Sequence, residues 1–158
     1  HHGDHGKQST RGILNEQFKA HPVLRGVTDI WGPSDVYGVV HLPDSAQVLV
    51  RGQVLAGMKP GDSPLEGPKN SPMMPLVWTL NYAGAGGKTN QIVTTTMGAA
   101  TDLESVGLRR LLVNACYWTL GLGDRLPAEA DVDYVGEFKP TQFGFGKFKP
   151  GVKPADLE

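Results

Sequence analysis

Apolar positions recur at intervals of three and four along one stretch: Leu108, Leu111, Leu112, Ala115, Cys116 and Thr119. That spacing predicts a helix laying one stripe on a sheet. Thr101-Asp102-Leu103-Glu104 in front of it fits a capping box, and Gly121 and Gly123 behind it suit a left-handed cap, with Pro127 beyond. Most other apolar segments read as strands. Val36 to Leu42 and Gln47 to Leu55 are rich in β-branched residues. Leu76 to Tyr82 and Gln91 to Thr96 flank the Gly-rich connector Ala83 to Asn90, which predicts an antiparallel hairpin. Val77, Thr79 and Asn81 alternate there with Trp78, Leu80 and Tyr82, so one face is the more apolar. Ile13 to Ala20 predicts a short helix stopped at His21-Pro22, because a residue before proline avoids the helical region. Asp131 to Phe138 predicts a last strand.

Between these elements the chain is punctuated by turns. Gly57 to Pro75 carries five prolines and three glycines in nineteen residues, which predicts a long surface loop. The tail from Lys139 to Glu158 carries Pro140, Pro150 and Pro154 beside Phe143, Phe145 and Phe148. It is expected to drape over the body and tuck its rings in.

Composition narrows the class. The chain has 158 residues, one domain's worth, with 39% apolar and 20% charged residues. Fifteen basic and sixteen acidic residues give a formal charge of −1, which removes the electrostatic case for nucleic-acid binding. No apolar run approaches the ~18 residues that span a bilayer, so no membrane span is expected. One cysteine makes neither an internal disulfide nor a Cys-rich zinc site. The 21 glycines and 12 prolines indicate a loop-rich domain. The chain opens on His1 without an initiator Met, and a leader removed upstream would leave no trace, so a cytoplasmic location is an assignment by default.

The sequence lacks a G-x-S-x-G elbow, a P-loop, H-E-x-x-H and G-x-G-x-x-G, and no nucleotide cofactor is indicated. Three constellations remain. His1, His2, Asp4 and His5 combine imidazoles with a carboxylate, a donor mix that holds divalent ions; a tag remnant or a frayed terminus reads the same way. The junction Thr94 to Asp102 runs from a strand ending in hydroxyls and Gly98 into a helix start. Thr96, Gly98 and Thr101 are its candidate ligand-binding residues and Asp102 its candidate catalytic acid; the alternative is β-propensity plus a simple cap. Asp29, Trp31, Asp35 and Tyr37 form the third group. Its carboxylates suit acid–base work or metal ligation (Asp29 for the metal, Asp35 for catalysis), and its rings can stack on sugars, whereas most turn aspartates bond their own backbone. Cys116, on the apolar stripe, reads as a buried small hydrophobe.

Several segments together resemble trehalose-utilisation (ThuA-like) domains: His21 to Val27, Trp31 to Tyr37, Pro75 to Tyr82, Val93 to Gly98 and Arg109 to Trp118. The ending Val135 to Gly146 is similar to a planctomycete-type branch of that family. The resemblance covers nearly the whole chain. It implies an α/β, flavodoxin-like (class I glutamine-amidotransferase-like) sandwich, truncated at the N-terminus and carrying the antiparallel hairpin. It also implies that His1-His2-Gly3-Asp4-His5 is native, since relatives carry a similar segment internally. Many relatives have a His after the Gly of the hairpin strand, where this chain has Ala99.

The expected function is hydrolysis of a small molecule, either a carbohydrate or a lactone or simple ester. The expected catalytic residues are Asp102, His5 and Asp35, with one divalent metal, calcium or zinc, assisting. The alternative is a sugar-binding or structural module that keeps the ligand edge without chemistry. A sheet missing its first strands exposes an edge and an apolar face, so a homodimer is expected, with the tail or the strand from Gln47 at its interface.

Overall fold

The computed structural model describes residues 1–142, 144 and 146–157, the last by its backbone alone. Five strands form one sheet: β1 (Thr10–Leu14), β2 (Ile30–Gly32), β3 (Gln47–Val54), β4 (Met74–Ala83) and β5 (Thr89–Thr95). Their order is β2-β1-β3-β4-β5, and every neighbouring pair is antiparallel. This overturns the expected flavodoxin-like sandwich. A parallel sheet needs a crossover, usually helical, between each pair of strands. Here a single α-helix, α1 (Val106–Thr119), is found among the described residues, and the β3–β4 connection is the proline-rich loop.

The hairpin β4–β5 forms as its pattern predicts, in unbroken register from Val77↔Thr95 to Ala83↔Thr89. Its burial runs against the apolar count, however. Val77 and Thr79 are buried, while Tyr82 of the more apolar set is well exposed. The buried set joins the core with α1, where Leu108 and Leu111 are fully buried beside Val23, Ile30, Leu49 and Met97. Each such leucine contributes about 1.5–3 kcal/mol.

The other departures have local causes. Ile13–Ala20 is not a helix: Thr10–Leu14 pairs with β3 on one side and β2 on the other, and only Glu16–Phe18 makes a 3-10 turn, capped by Asn15. Gly12 in β1 is a packing requirement, since a Cβ there would sit 2.9 Å from Ile30 Cβ and 3.0 Å from Val50 Cγ1. Val36–Leu42 is irregular, with His41 in the left-handed region; its first carbonyl, Val36 O, accepts the N–H groups of His2 and Gly3 instead of a strand partner. Asp131–Phe138 is irregular too. Guanidinium groups of α1 engage it and the residue before it: Arg109 donates to Val132 O and Arg110 to Ala130 O.

The helix starts later than the predicted capping box. Ala100–Glu104 is a 3-10 turn, and Ser105 caps α1 by accepting the Leu108 N–H. Its end matches expectation at Gly121, at φ +73° with hydrogen bonds from Gly121 to Trp118 and from Leu122 to Tyr117, whereas Gly123 is not left-handed and opens a 3-10 turn. Cys116 is exposed; the helical face buries Asn114 instead, whose amide donates to Val23 O and Arg25 O. In the tail, Phe148 is largely exposed, and Phe143 and Phe145 lie outside the described residues.

Candidate functional site

The site begins with a close backbone approach. Gly3 is buried, and the N–H groups of His2 and Gly3 both donate to Val36 O at 2.8 and 2.9 Å. A Cβ on Gly3 would lie 3.1 Å from both Asp35 Cβ and Val36 N, so glycine lets the two segments touch. The contact sets His1 and His5 astride one carboxylate. His1 Nδ1 is 2.5 Å from Asp35 Oδ2, and His5 Nδ1 is 2.9 Å from Asp35 Oδ1.

Asp35's side chain is 1% exposed, whereas the two imidazoles are about half exposed. A carboxylate only accepts, so each imidazole donates its Nδ1–H and carries its basic lone pair on Nε2. Tyr37 adds a ring 5.0 Å from that of His1. Beside this cluster opens a cavity of about 560 Å³. His5, Asp35 and Tyr37 form one side, Ala99 and Ala100 of the strand-to-helix junction another, and Gln142 and Lys147 of the tail a third. A narrower recess of about 60 Å³ runs from His5 to Thr101.

The structure thus gathers His1, His5, Asp35 and Tyr37 and disperses the rest. His2 Nε2 donates to Lys69 O at 2.7 Å, away from the cluster. Asp4 binds Lys69 Nζ at 2.8 Å, and that hydrogen bond, then the lysine's charge, lowers its carboxyl pKa. Asp29 is exposed, lies 3.6 Å from Arg11 and is not part of the His1–His5–Asp35 group. Trp31 donates its indole N–H to Ser9 Oγ and, with Asp29, lines a separate cavity of about 410 Å³.

The junction is reassigned. Asp102 is fully buried and accepts four hydrogen bonds, from Ser34 N and Oγ, Gly98 N and Ala99 N, at 2.7–3.1 Å. Every donor belongs to the chain itself, and a Cβ on Gly32 would collide with Oδ1. A carboxylate so satisfied is a structural tie, and the expected catalytic role of Asp102 is withdrawn. Gly98 serves that tie. Thr96 Oγ1 is buried without a hydrogen-bond partner among the described residues.

Sequence reasoning gave no role to Ser34, Gln142 or Lys147. Ser34 carried the only readable signal, lying directly before Asp35 in a turn. Lys147 is the sole cation among the described residues around the larger cavity. No helix among the described residues is long and apolar enough to cross a membrane. Comparison with family models, curated proteins and solved structures returned no match.

Proposed function

We propose that the chain is a small-molecule hydrolase acting on a lactone or simple ester, or on a carbohydrate, with His1, His5 and Asp35 activating water at the cavity wall. The observation that supports this reading is the Asp35 carboxylate, buried and bonded through both oxygens to imidazole Nδ1 atoms at the edge of a 560 Å³ space. An aspartate on Nδ1 fixes the tautomer and stabilises the imidazolium that forms when Nε2 takes a proton. In ester cleavage, water attacks the acyl carbon and its proton passes to Nε2. The tetrahedral intermediate then breaks its C–O bond, and the imidazolium returns the proton to the leaving alkoxide; a lactone opens to its hydroxy acid. The ThuA-like resemblance of the sequence supports the carbohydrate branch, and it is kept as part of this proposal.

The test is a panel of lactones, aryl esters and glycosides with wild type, His5→Ala and Asp35→Asn. Turnover on one class, falling roughly 10²–10⁴-fold in both variants, is expected. Absence of turnover on all three classes overturns the reading.

The inward-turned junction favours a second reading, a binding module without chemistry, because Asp102 and Gly98 are occupied structurally. Calorimetric binding of sugars together with a flat activity panel would establish it. A homodimer is part of the proposal in either case.

A further inference from the structure

We infer that His1, His5 and Asp35 form a binding site for one divalent transition-metal ion of the zinc class. One ligand atom from each of the three residues can be chosen so that all lie within 4.8 Å of one another. Two imidazole nitrogens and one carboxylate oxygen make up a common three-ligand protein set for catalytic zinc, with the fourth position left to water. That donor set argues against calcium, which takes six to eight oxygens, and so narrows the expected pair of ions to zinc.

The arrangement has one rigid ligand and two adjustable ones. Asp35 is held by burial and by the Gly3–Val36 backbone contact, while the imidazoles approach from the half-exposed side. Zinc bonds of ~2.0–2.1 Å place tetrahedral ligand atoms roughly 3.3 Å apart. His1 Nδ1 and His5 Nδ1 now lie 2.5 and 2.9 Å from different oxygens of Asp35, and one ligand atom from each residue lies within 4.8 Å of the others, so an entering ion needs the half-exposed rings to re-aim by ~1–2 Å.

Charge points the same way. Among the described residues no Lys or Arg pairs with Asp35, and the nearby Lys69 is engaged by Asp4. A buried carboxylate paired only with imidazoles is short of positive charge, and a dication supplies it. The cavity beside His5 gives the ion and its water a route in and a place for substrate. The catalytic consequence rests on the hydrolase reading: His1, His5 and Asp35 would hold the ion, which when bound would supply Lewis-acid polarisation of the acyl group and a more acidic water beside the cavity. The binding claim stands without it.

The experiment uses the full chain, stripped with chelator and titrated with Zn²⁺, with Co²⁺ as a spectroscopic probe. One Zn²⁺ per chain is expected, unaffected by millimolar Ca²⁺, with the visible absorption of Co²⁺ bound by nitrogen and oxygen. Affinity should fall roughly 100-fold in His5→Ala and in Asp35→Asn and stay unchanged in His2→Ala. Circular dichroism on each variant confirms folding. If His2→Ala costs as much as His5→Ala, the His-rich segment is a loose chelator and the built site is overturned. Absence of stoichiometric binding overturns it too. Zinc binding without turnover sinks the hydrolase and keeps the site; turnover in a chain that binds no zinc sinks the site and keeps the hydrolase.

Discussion

Ser34 gives Asp102 two hydrogen bonds at once, from its backbone N–H at 3.1 Å and from its hydroxyl at 2.7 Å. The pair ties the turn after β2 to the junction between β5 and α1, 68 residues away in sequence. Because Ser34 precedes Asp35, the same tie holds the wall of the cavity in place.

Removing the carboxylate orphans four donors. Each unsatisfied buried group costs about 1–3 kcal/mol, and relaxation and water entry recover part of the sum. Asp102→Ala is therefore expected to lose about 3–5 kcal/mol in urea unfolding. Full stability with lost turnover would contradict the structural assignment and restore a catalytic one.

Gly107 marks a close approach of α1 to the backbone at Asp29, directly before β2. A Cβ there would overlap the carbonyl oxygen of Asp29. On an exposed helix Gly→Ala gains about 1 kcal/mol from propensity. Here overpacking reverses the sign, and Gly107→Ala is expected to destabilise by about 2 kcal/mol or more. A stabilised variant in thermal unfolding would show that the helix stands further off the sheet than described.

His21 titrates against the fold. Its Nδ1 accepts the Val23 N–H at 3.2 Å, its ring lies 5.0 Å from that of Trp118, and burial pushes its pKa below the ordinary 6.5. The unfolded chain then binds more protons than the folded one between the two values, so stability rises with pH across that window. The contribution is complete above the unfolded pKa of ~6.5 and is lost as pH falls through the folded one. His21→Asn keeps a cap acceptor without a titrating ring. The difference in unfolding midpoint between wild type and this variant should shrink in the wild type's disfavour from about pH 7.5 to pH 5. A difference constant with pH would refute the assignment.

What could be read in advance follows the range of the interactions involved. The β4–β5 hairpin and the Gly121 cap depend on neighbours in sequence and were legible. β1 and β2 were not: Ile13 and Leu14 of β1 fell inside a local helical reading, and the three residues Ile-Trp-Gly of β2 carry too little pattern to read as a strand. Their identity comes from pairing, and Gly12 is explained only once Ile30 and Val50 face it. The candidate site divides in the same way. His5 and Asp35 were visible as chemistry-bearing residues, but their meeting across 30 positions depends on Gly3 packing against Asp35. Asp102 was conspicuous for the right position and the wrong reason: a cap carboxylate and a catalytic one look alike until its donors are counted.

Assembly is predicted from the free edge of the sheet. β3 lies between β4 and β1, which pairs it from Val50 to Val54, so the strand from Gln47 leaves only three residues without a β1 partner, and that part of the expected interface is withdrawn. The edges are β2, only three residues long, and β5, which is seven. β5 reads Thr-Asn-Gln-Ile-Val-Thr-Thr and pairs on one side with β4. It contains no charge and no proline, the devices that ordinarily protect an edge from a second chain. Exposed Ile92 on β5 and Tyr82 on β4 add apolar surface beside it. Antiparallel pairing of two β5 strands about a two-fold axis satisfies both edges with one contact. Light scattering at micromolar concentration should show a dimer of the 17.0 kDa chain. Ile92→Lys, which places a charge on the edge without touching the core, should return it to a monomer. A wild-type monomer unchanged on concentrating would sink the dimer, and a dimer indifferent to Ile92→Lys would move the interface to the tail.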